Sequence, residues 1–355
     1  MVLVKEAMWY QKLDKKEVQC QLCPRKCIIY EGKRGFCRVK ENRKGTLYSL
    51  VYGKPCVADV GPIEKAPIFH FIPGHRRLCV ATVGCNFRCK FCQNWHISQQ
   101  SPDDGSTLEL SPSQIVELAK TKELNSISFT YTEPVIFYEY IYDICKLAKK
   151  EGIRTSIVSN GYINPEPMRE LVKLLDAVKI DLKAFTDEFY RTVSSATLLP
   201  VLNTLKVLKE EGVYFEIVNL VIPTLNDAPE DLKAMCSWIK KKLGPDVPLH
   251  FTCFYPAYKL ISLPLTPIET LEKAYEIAKS CSLNYVYIGN VYGHKYESTY
   301  CPTCHKRIIY RKGFSILQNN IVITMENEKE GSREQSKSYY GRCKFCNTKI
   351  PGIWK

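Results

Sequence analysis

The stretch that decides the fold is LCVATVGCNFRCKFCQNW, residues 78 to 95. Its first six residues are apolar and rich in β-branched side chains, which predicts a buried strand. Three cysteines, Cys85, Cys89 and Cys92, follow with the spacing Cys-x3-Cys-x2-Cys, and no fourth cysteine lies nearby. A closed metal site ordinarily takes four protein ligands. The stretch therefore predicts a strand that presents an incomplete set of thiol ligands at its carboxyl end.

After this stretch, strand patterns alternate with helical patterns. Each predicted helix begins near a proline, which suits the first helical turn because the missing N–H is not needed there. Such alternation requires parallel strands joined by helical crossovers, so it predicts an α/β fold: a full or partial (β/α) TIM-like barrel, or a doubly wound sheet. The predicted strands are 78–83, 126–132, 154–159, 177–183, 214–222 and 249–254, and the helices begin near Pro112, Pro134, Pro165, Pro200, Pro229 and Pro267.

The composition is that of a soluble globular protein, with 355 residues, 45% hydrophobic and 25% charged. No apolar run approaches the ~18 residues that cross a bilayer, and the N-terminus becomes polar too early for a signal peptide. We expect a cytoplasmic protein without a membrane span. We expect three parts: a cysteine-rich region (1–75), an α/β barrel (76–295) and a small C-terminal domain (296–355).

The 17 cysteines predict metal sites rather than disulfides, because a reducing cytoplasm keeps thiols reduced. Eleven of them form three tight groups. The other six lie in apolar stretches and are predicted to act as small buried hydrophobic residues. These six are Cys56, Cys79, Cys145, Cys236, Cys253 and Cys281.

The N-terminal group has four cysteines within eighteen residues. Pro24, Gly32 and Gly35 lie between them and permit the tight turns that let four sulfur atoms converge. Four thiolates close a metal site. Structural zinc is our first interpretation and an auxiliary iron–sulfur cluster is the second. The four residues are Cys20, Cys23, Cys27 and Cys37.

Two Cys-x2-Cys pairs near the C-terminus predict a zinc site in a zinc-ribbon or rubredoxin-like domain. The gap between the pairs is 38 residues, longer than the ~15 to 20 common in zinc ribbons. Its interior, from Glu326 to Ser338, has the composition of a disordered or mobile loop. The four cysteines are Cys301, Cys304, Cys343 and Cys346.

The net charge of +13 is concentrated beside the two terminal cysteine groups. Residues 1–40 and 296–355 each carry +6, and the middle of the chain carries +1. A divalent metal with four thiolates has a charge of about −2, so bound metal would offset about a third of the excess. Either the basic residues balance the metal thiolates, or they bind nucleic acid. A non-catalytic RNA-binding protein with basic zinc flanks is therefore one alternative for the function.

The three central cysteines suit an iron–sulfur cluster with one open iron. A [4Fe-4S] cluster ordinarily takes four cysteines, so three leave one iron free to bind another ligand. The alternative is a structural zinc knuckle that lacks a ligand. The spacing, with Phe91 before the last cysteine, resembles the signature of the radical S-adenosylmethionine (radical SAM) superfamily. The resemblance implies that the open iron chelates the methionine moiety of S-adenosylmethionine (SAM). It also implies that a one-electron donor, such as ferredoxin or flavodoxin, drives release of a 5′-deoxyadenosyl radical.

The ends of the next strands carry residues that resemble the SAM contacts of this superfamily, at the edge where parallel α/β folds place their active sites. Glu133, in Thr-Tyr-Thr-Glu-Pro, stands where the family usually has a Gly-Gly-Glu-type motif that contacts the methionine amino group. Ser159 and Asn160, in Ser-Asn-Gly, resemble contacts to the ribose and to methionine. Asn219 and His250 correspond to positions that flank the nucleoside, although a lone histidine is as often structural.

Asp181-Leu182-Lys183 resembles the Asp-x-Lys motif of glycyl-radical activating enzymes, in which the lysine reaches the methionine carboxylate. The period of two in a strand places Lys179, Asp181 and Lys183 on one face. We expect Asp181 and Lys183 to face the mouth of the barrel. The alternative is an ordinary ion pair at the end of a strand.

Further motifs lie along nearly the whole chain, at 20–27, 35–37, 84–87, 129–134 and 350–354. Together they resemble the AmmeMemoRadiSam system radical SAM enzymes, relatives of the pyruvate formate-lyase activating enzymes. The resemblance implies an enzyme that cleaves SAM reductively and abstracts a hydrogen atom from an unidentified substrate. One alternative is a glycyl-radical enzyme activase that acts on a protein glycine. Another is a protein that only transfers electrons, which leaves Glu133, Asp181 and Lys183 unexplained.

Overall fold

The structure is a computed structural model and describes residues 4–105, 107–326 and 338–355. The chain forms two compact units, each built from three segments. The first unit comprises Met1–Gly61, Arg76–Phe215 and Tyr255–Pro264, and the second comprises Pro62–His75, Glu216–Phe254 and Leu265–Lys355. Among the helices of the described residues, none is both long and apolar enough to cross a membrane.

The helices and strands of the described residues are numbered in chain order. The strands are β1 (Lys5–Glu6), β2 (Tyr10–Lys12), β3 (Val18–Cys20), β4 (Ile28–Ile29), β5 (Lys40–Arg43), β6 (Thr46–Ser49), β7 (Val57–Pro62), β8 (Arg76–Ala81), β9 (Ser126–Phe129), β10 (Arg154–Ser159), β11 (Ala177–Asp181), β12 (Tyr214–Val221), β13 (Leu249–Cys253), β14 (Val286–Gly289), β15 (Thr299–Tyr300), β16 (Arg307–Lys312), β17 (Ser315–Asn319), β18 (Ile321–Glu326), β19 (Ser338–Cys343) and β20 (Lys349–Ile350). The helices are α1 (Trp95–Ser98), α2 (Pro112–Thr121), α3 (Tyr138–Lys150), α4 (Pro165–Val172), α5 (Asp187–Ser194), α6 (Leu198–Glu210), α7 (Pro229–Leu243) and α8 (Ile268–Ser280).

The first unit contains a parallel sheet in which β8, β9, β10 and β11 are neighbours in chain order. Helices α2, α3 and α4 supply the crossovers that parallel pairing requires. Every residue of β9 is buried, as expected for a strand covered on both faces. Because the strands are parallel, the segments after β8, β9, β10 and β11 lie at the same edge of the sheet.

The N-terminal part of the first unit folds into two small antiparallel sheets, ordered β1-β6-β5 and β2-β3-β4. The buried side chain of Asn42, in β5, connects the two sheets. Its amide donates to the carbonyl oxygens of Lys16 and Ile29, at 2.8 and 2.7 Å, and its Oδ1 accepts from the N–H of Gly45 at 2.9 Å. The cysteine-rich N-terminus is therefore ordered by buried polar contacts as well as by its strands.

The second unit contains the parallel strands β12, β13 and β14, with α7 and α8 as crossovers. Its C-terminal part has two antiparallel sheets, β15-β16-β17 and β18-β19-β20. A cluster of buried residues forms the core of this part. It contains Phe69, Tyr285, Tyr287, Cys301, Ile308, Ile309, Cys343, Ile350 and Trp354.

The predicted α/β class with parallel strands is confirmed. Five of the six predicted strands begin at the predicted residue, and β10 matches at both ends. The other five end one to three residues before the predicted residue. Pro112, Pro165 and Pro229 begin helices as predicted, whereas Pro134 begins a 3-10 turn that leads into α3. The alternation pattern missed α5 and β14.

Four of the six scattered cysteines are buried, as predicted, and Cys56 and Cys281 are partly exposed. The predicted mobile loop from Glu326 to Ser338 falls mainly on residues 327–337, which lie outside the described residues.

Candidate active site

The loop that carries the three central cysteines joins β8 to α1. Gly84 opens it with a φ of +95°, and a Cβ at this position would lie 2.8 Å from the carbonyl oxygen of Cys37. Only glycine fits such a conformation and such a close approach. The N–H of Arg88 donates to the carbonyl oxygen of Ser194 at 3.0 Å, which fastens the loop to the end of α5. Neighbouring backbone thus fixes the path of the loop.

The three sulfur atoms of this loop lie in a mostly buried environment with polar neighbours. Burial raises the pKa of Cys89 to about 11 and that of Cys85 well above its usual value. Such thiols ionise when a cation binds them, which is the chemistry of a metal ligand. The polar neighbours are the Phe87 N–H at 3.3 Å from Cys85 Sγ, Ser194 Oγ at 3.5 Å from Cys89 Sγ and Ser98 Oγ at 3.2 Å from Cys92 Sγ.

The spacing of these sulfur atoms differs from that of a single-metal site. Four sulfurs bound tetrahedrally to zinc at about 2.3 Å lie roughly 3.8 Å apart. Among the described residues, the central cysteines do not form a group whose sulfurs all lie within 4.8 Å of one another. A wider spread suits thiolates that bind different irons of one cluster. The donor set therefore fits an iron–sulfur cluster better than a zinc knuckle.

Glu133 follows β9 and is 2% exposed. Its Oε1 accepts from the Val135 N–H at 3.1 Å and from the Ser159 hydroxyl at 2.7 Å, and its Oε2 accepts from the Asn160 N–H at 2.8 Å. Burial raises the pKa of the carboxyl to about 7, although these hydrogen bonds oppose the shift. The structure thus brings together three residues that the sequence analysis had placed in one site.

Asn86, inside the cysteine loop, connects that loop to the end of β10. Its Oδ1 accepts from the side-chain amide of Asn160 at 2.8 Å, and its own amide donates to the carbonyl oxygen of Tyr162 at 2.9 Å. Asn86 is fully buried. The sequence analysis did not select it, although the Gly-Cys-Asn-Phe motif that contains it was noted.

Lys179 and Asp181 lie in β11, and Lys183, two residues beyond its end, joins them on the same side through Asp181, as predicted. The Lys183 ammonium donates to one carboxylate oxygen of Asp181 at 3.0 Å, and the Lys179 ammonium donates to the other. Burial alone would raise the pKa of Asp181, but the two ammonium groups lower it to about 2. The Lys183 ammonium also lies 5.7 Å from the centre of the Phe91 ring in the cysteine loop. A partly buried cation is therefore held beside the cysteines.

Comparison with known proteins decides the family. The family model of the Radical SAM superfamily matches residues 79–239. This range contains the cysteine loop, Glu133 and the Asp-x-Lys segment. Uncharacterized protein MJ0808 of Methanocaldococcus jannaschii is 45% identical over 347 residues, 98% of this chain and 99% of that protein. The chain belongs to the radical SAM superfamily. Members of this superfamily are enzymes, so the enzyme prediction is confirmed and the non-catalytic RNA-binding alternative is set aside.

The pyruvate formate-lyase-activating enzyme of Clostridium pasteurianum is 28% identical over 177 residues, 47% of this chain and 71% of that protein. The predicted sequence similarity of this radical SAM enzyme to the activating enzymes is confirmed. The narrower AmmeMemoRadiSam assignment stays a prediction.

Asn219 and His250 of the radical SAM enzyme lie on β12 and β13 in the second unit, and both are buried. The His250 Nε2 lies 2.6 Å from the Glu216 carboxylate, and its ring stacks on that of Tyr287 with centres 4.8 Å apart. Glu216 also accepts from the N–H of His70 at 2.7 Å. His250 is thus part of a buried polar network, and its predicted contact with the nucleoside stays a prediction, as does that of Asn219.

The four C-terminal cysteines of the radical SAM enzyme form a compact group whose sulfurs all lie within 4.8 Å of one another. The Cys301 and Cys346 sulfurs are 3.5 Å apart, and those of Cys304 and Cys343 are 3.8 Å apart. These distances match the roughly 3.8 Å expected for four thiolates around one zinc. The sequence analysis correctly placed these four residues together.

Proposed function

We propose that this radical SAM enzyme holds a [4Fe-4S] cluster on Cys85, Cys89 and Cys92, cleaves SAM reductively and abstracts a hydrogen atom from an unidentified substrate. The observation that carries the proposal is the partly buried Lys183 ammonium beside this incomplete set of thiol ligands. A cation in that place suits a ligand that brings its own carboxylate, as the methionine moiety of SAM does. When bound, the cluster supplies the electron that breaks a carbon–sulfur bond of SAM and releases the 5′-deoxyadenosyl radical.

The Asp-x-Lys segment would bind and orient the methionine carboxylate. Asp181 holds Lys183 in place, and Lys179 neutralises the second oxygen of Asp181, so the segment keeps a net positive charge. A charge-assisted hydrogen bond from Lys183 to a carboxylate contributes about 1.5 to 3 kcal/mol. Lys179 and Lys183 both pair with Asp181 and are only 5% and 13% exposed, which distinguishes this segment from an exposed surface ion pair.

Glu133 would accept a hydrogen bond from the amino group of SAM. An ionised carboxylate has about four acceptor positions, and three are used by Val135, Ser159 and Asn160. These donors fix the carboxylate in one orientation. Because the pKa of Glu133 is raised to about 7, a bound ammonium group would favour its ionised form. The ribose contacts implied for Ser159 and Asn160 remain part of the proposal.

The C-terminal site would hold zinc. Its four sulfur atoms already have the spacing of a tetrahedral zinc site, and four thiolates close the coordination sphere. A closed site has no position for a substrate. We therefore assign it to the stability of the C-terminal sheets.

The partners follow from the proposed chemistry. The reaction takes one electron from a donor such as ferredoxin or flavodoxin, which we place with the enzyme in the cytoplasm. The substrate is unidentified, and following the transferred hydrogen into 5′-deoxyadenosine distinguishes proteins, small molecules and RNA as its source.

Glycyl-radical activation is the second candidate function. The pyruvate formate-lyase-activating enzyme of Clostridium pasteurianum is 28% identical to this chain over 177 residues. In that case the hydrogen atom would come from a glycine Cα–H of a protein. Incubation with extract protein labelled with α-deuterated glycine should then transfer deuterium to 5′-deoxyadenosine, whereas a small-molecule fraction should not.

Anaerobic reconstitution tests the main proposal. The enzyme is reduced with dithionite in the presence of SAM, and 5′-deoxyadenosine is measured by mass spectrometry, with deuterated cell extract as the hydrogen source. Cys89→Ala should abolish the product. Cys281→Ala, which changes a cysteine outside the three groups, is the matched control and should retain it. Equal product formation by the two variants would overturn the proposal.

A further inference from the structure

The four N-terminal cysteines converge on one cavity in the first unit. Backbone hydrogen bonds fix their approach: the Cys20 N–H donates to the Cys27 carbonyl at 3.0 Å, and the Lys26 N–H donates to the Cys23 carbonyl at 3.1 Å. The Phe36 N–H points to the Cys27 sulfur at 3.5 Å. All four cysteines line the cavity.

The sulfur spacing differs between the two four-cysteine groups of the chain. The C-terminal sulfurs lie within 4.8 Å of one another, as around a single metal ion. In the part of the chain that the structure describes, no three of the N-terminal cysteines meet that distance. Instead they line, with other residues, a cavity of about 20 Å³.

This spacing argues against zinc at the N-terminal group. In a tetrahedral zinc site the sulfurs are roughly 3.8 Å apart and fill the space around the metal themselves. Four thiolates that bind different irons must stand further apart, because the irons and the bridging sulfides occupy the space between them. The N-terminal cysteines line one cavity without forming a compact group of three among the described residues, which suits the second arrangement.

The walls of the cavity suit a redox cluster rather than solvent. Apolar side chains form much of the lining, namely Leu22, Ile29, Val135 and Ile136. Two cations, Arg25 and Lys40, also line it. Lys40 pairs with the buried Glu139 carboxylate, so Arg25 is the cation that would offset part of the negative charge of four thiolates. Arg25 is held in place, since its Nε donates to the Asn86 carbonyl at 2.6 Å.

The cavity adjoins the loop of the three central cysteines. Asn86 of that loop lines the cavity, and the Gly84 backbone lies against the Cys37 carbonyl oxygen. The centre of the Phe36 ring lies 3.5 Å from the guanidinium carbon of Arg25 and 4.2 Å from that of Arg88. Arg88 in turn donates to the Cys85 carbonyl at 2.8 Å. The two cysteine groups therefore share their immediate surroundings.

We propose that Cys20, Cys23, Cys27 and Cys37 hold a second iron–sulfur cluster, closed by four thiolates and placed beside the central cysteine loop. With all four ligands supplied by the chain, this cluster has no open iron and does not bind SAM. It is present independently of the function proposed above, because none of its ligands belongs to the central loop.

Iron and acid-labile sulfide in a variant without the central ligands test this proposal. The variant Cys85→Ala/Cys89→Ala/Cys92→Ala is reconstituted anaerobically and should retain two to four irons per chain with a similar amount of sulfide and a Mössbauer spectrum of an iron–sulfur cluster. Adding Cys23→Ala and Cys27→Ala should remove this iron. Adding Cys145→Ala and Cys236→Ala instead is the matched control and should leave it bound.

The wild-type enzyme gives an independent measurement if these variants do not fold. It should contain clearly more than four irons per chain together with about one zinc. A content of about two zincs and no more than four irons would assign zinc to the N-terminal group and overturn the proposal. Loss of all iron from the variant that lacks only the central cysteines, with its fold retained, would also overturn it.

Discussion

The side-chain amide of Asn160 donates to Asn86 Oδ1 at 2.8 Å and so joins the end of β10 to the cysteine loop. Both residues are almost fully buried, and the amide of Asn86 continues the chain of hydrogen bonds to the Tyr162 carbonyl. Asn160 also donates through its backbone to Glu133. The loop of the cysteines and the carboxylate proposed to contact SAM are therefore held in one buried polar network.

The first prediction concerns Asn86→Ala. The change leaves the Asn160 amide and the Tyr162 carbonyl without this partner in a buried place, which should cost about 1–3 kcal/mol of unfolding free energy. Denaturant unfolding should show the loss, and the reconstituted variant should release iron to a chelator faster than wild type. Asn125→Ala, at an exposed position, is the control and should change neither; equal behaviour of the two variants would contradict the role of Asn86.

The second prediction concerns Lys183→Ala. Loss of one charge-assisted hydrogen bond to the methionine carboxylate should weaken SAM binding about tenfold to a hundredfold. Calorimetric titration of the reconstituted enzyme measures this. The control is Lys173→Ala, which removes a lysine that pairs with Glu170 at the surface, and its affinity should equal that of wild type. Unchanged affinity of Lys183→Ala for SAM would show that Lys183 does not bind SAM and forms only an ion pair at the end of a strand.

The third prediction concerns the pH dependence of the second unit. The Pro351 carbonyl, 2.7 Å from His70 Nδ1, can only accept, so Nδ1 carries the proton and Nε2 accepts from the Tyr287 hydroxyl at 2.6 Å. Burial lowers the pKa of His70 from 6.5 to about 4. The unfolded chain therefore binds this proton at higher pH than the folded chain. Stability from this group is present above pH 6.5 and is lost as the pH falls to about 4.

The size of this loss should be roughly 3 kcal/mol over that range, from the shift in the His70 pKa. Glu216 stays ionised throughout, because its pKa is lowered to about 2 by His250 against the effect of burial. His70→Gln should be less stable at pH 7 and should lose less stability between pH 6.5 and 4.5 than wild type. The control His96→Gln, at an exposed position, should keep the wild-type slope; equal slopes in both variants would contradict the assignment to His70.

The parts of the site that depend on local pattern could be predicted from the sequence. The period of two along one strand placed Lys179, Asp181 and Lys183 on the same face, and the ion pairs confirm it. Cysteine spacing grouped the four C-terminal thiols correctly. Helix starts at Pro112 and similar positions followed because proline suits the first turn.

Features that depend on pairing between distant elements could not be predicted in the same way. Asn86 meets Asn160 only because parallel strands bring their ends to one edge, and Glu216 meets His250 through the register of β12 and β13. The signal for α5 was present, since Thr186 is followed by two acidic residues, but the short helix lies within a longer connection. The division of the chain at residues 75 and 295 stays a prediction.

The fourth prediction separates the C-terminal metal from the radical chemistry. Cys343 is buried in the core formed with Ile309 and Trp354, and its sulfur lies 3.8 Å from that of Cys304. Cys343→Ser should therefore lose about one zinc per chain and speed hydrogen exchange in β16 and β19, because zinc binding contributes to the folding free energy of such small sheets. Elemental analysis and exchange measured by mass spectrometry provide the two readouts.

Cleavage of SAM without substrate should survive in Cys343→Ser, because a site closed by four thiolates offers no position to a reacting group. Cys281→Ser is the matched control, since it changes a partly exposed cysteine outside the metal groups and should keep its zinc. The informative comparison is made at equal iron content in the two variants. If Cys343→Ser then forms no 5′-deoxyadenosine while Cys281→Ser does, the C-terminal metal takes part in catalysis and its assignment to stability is wrong.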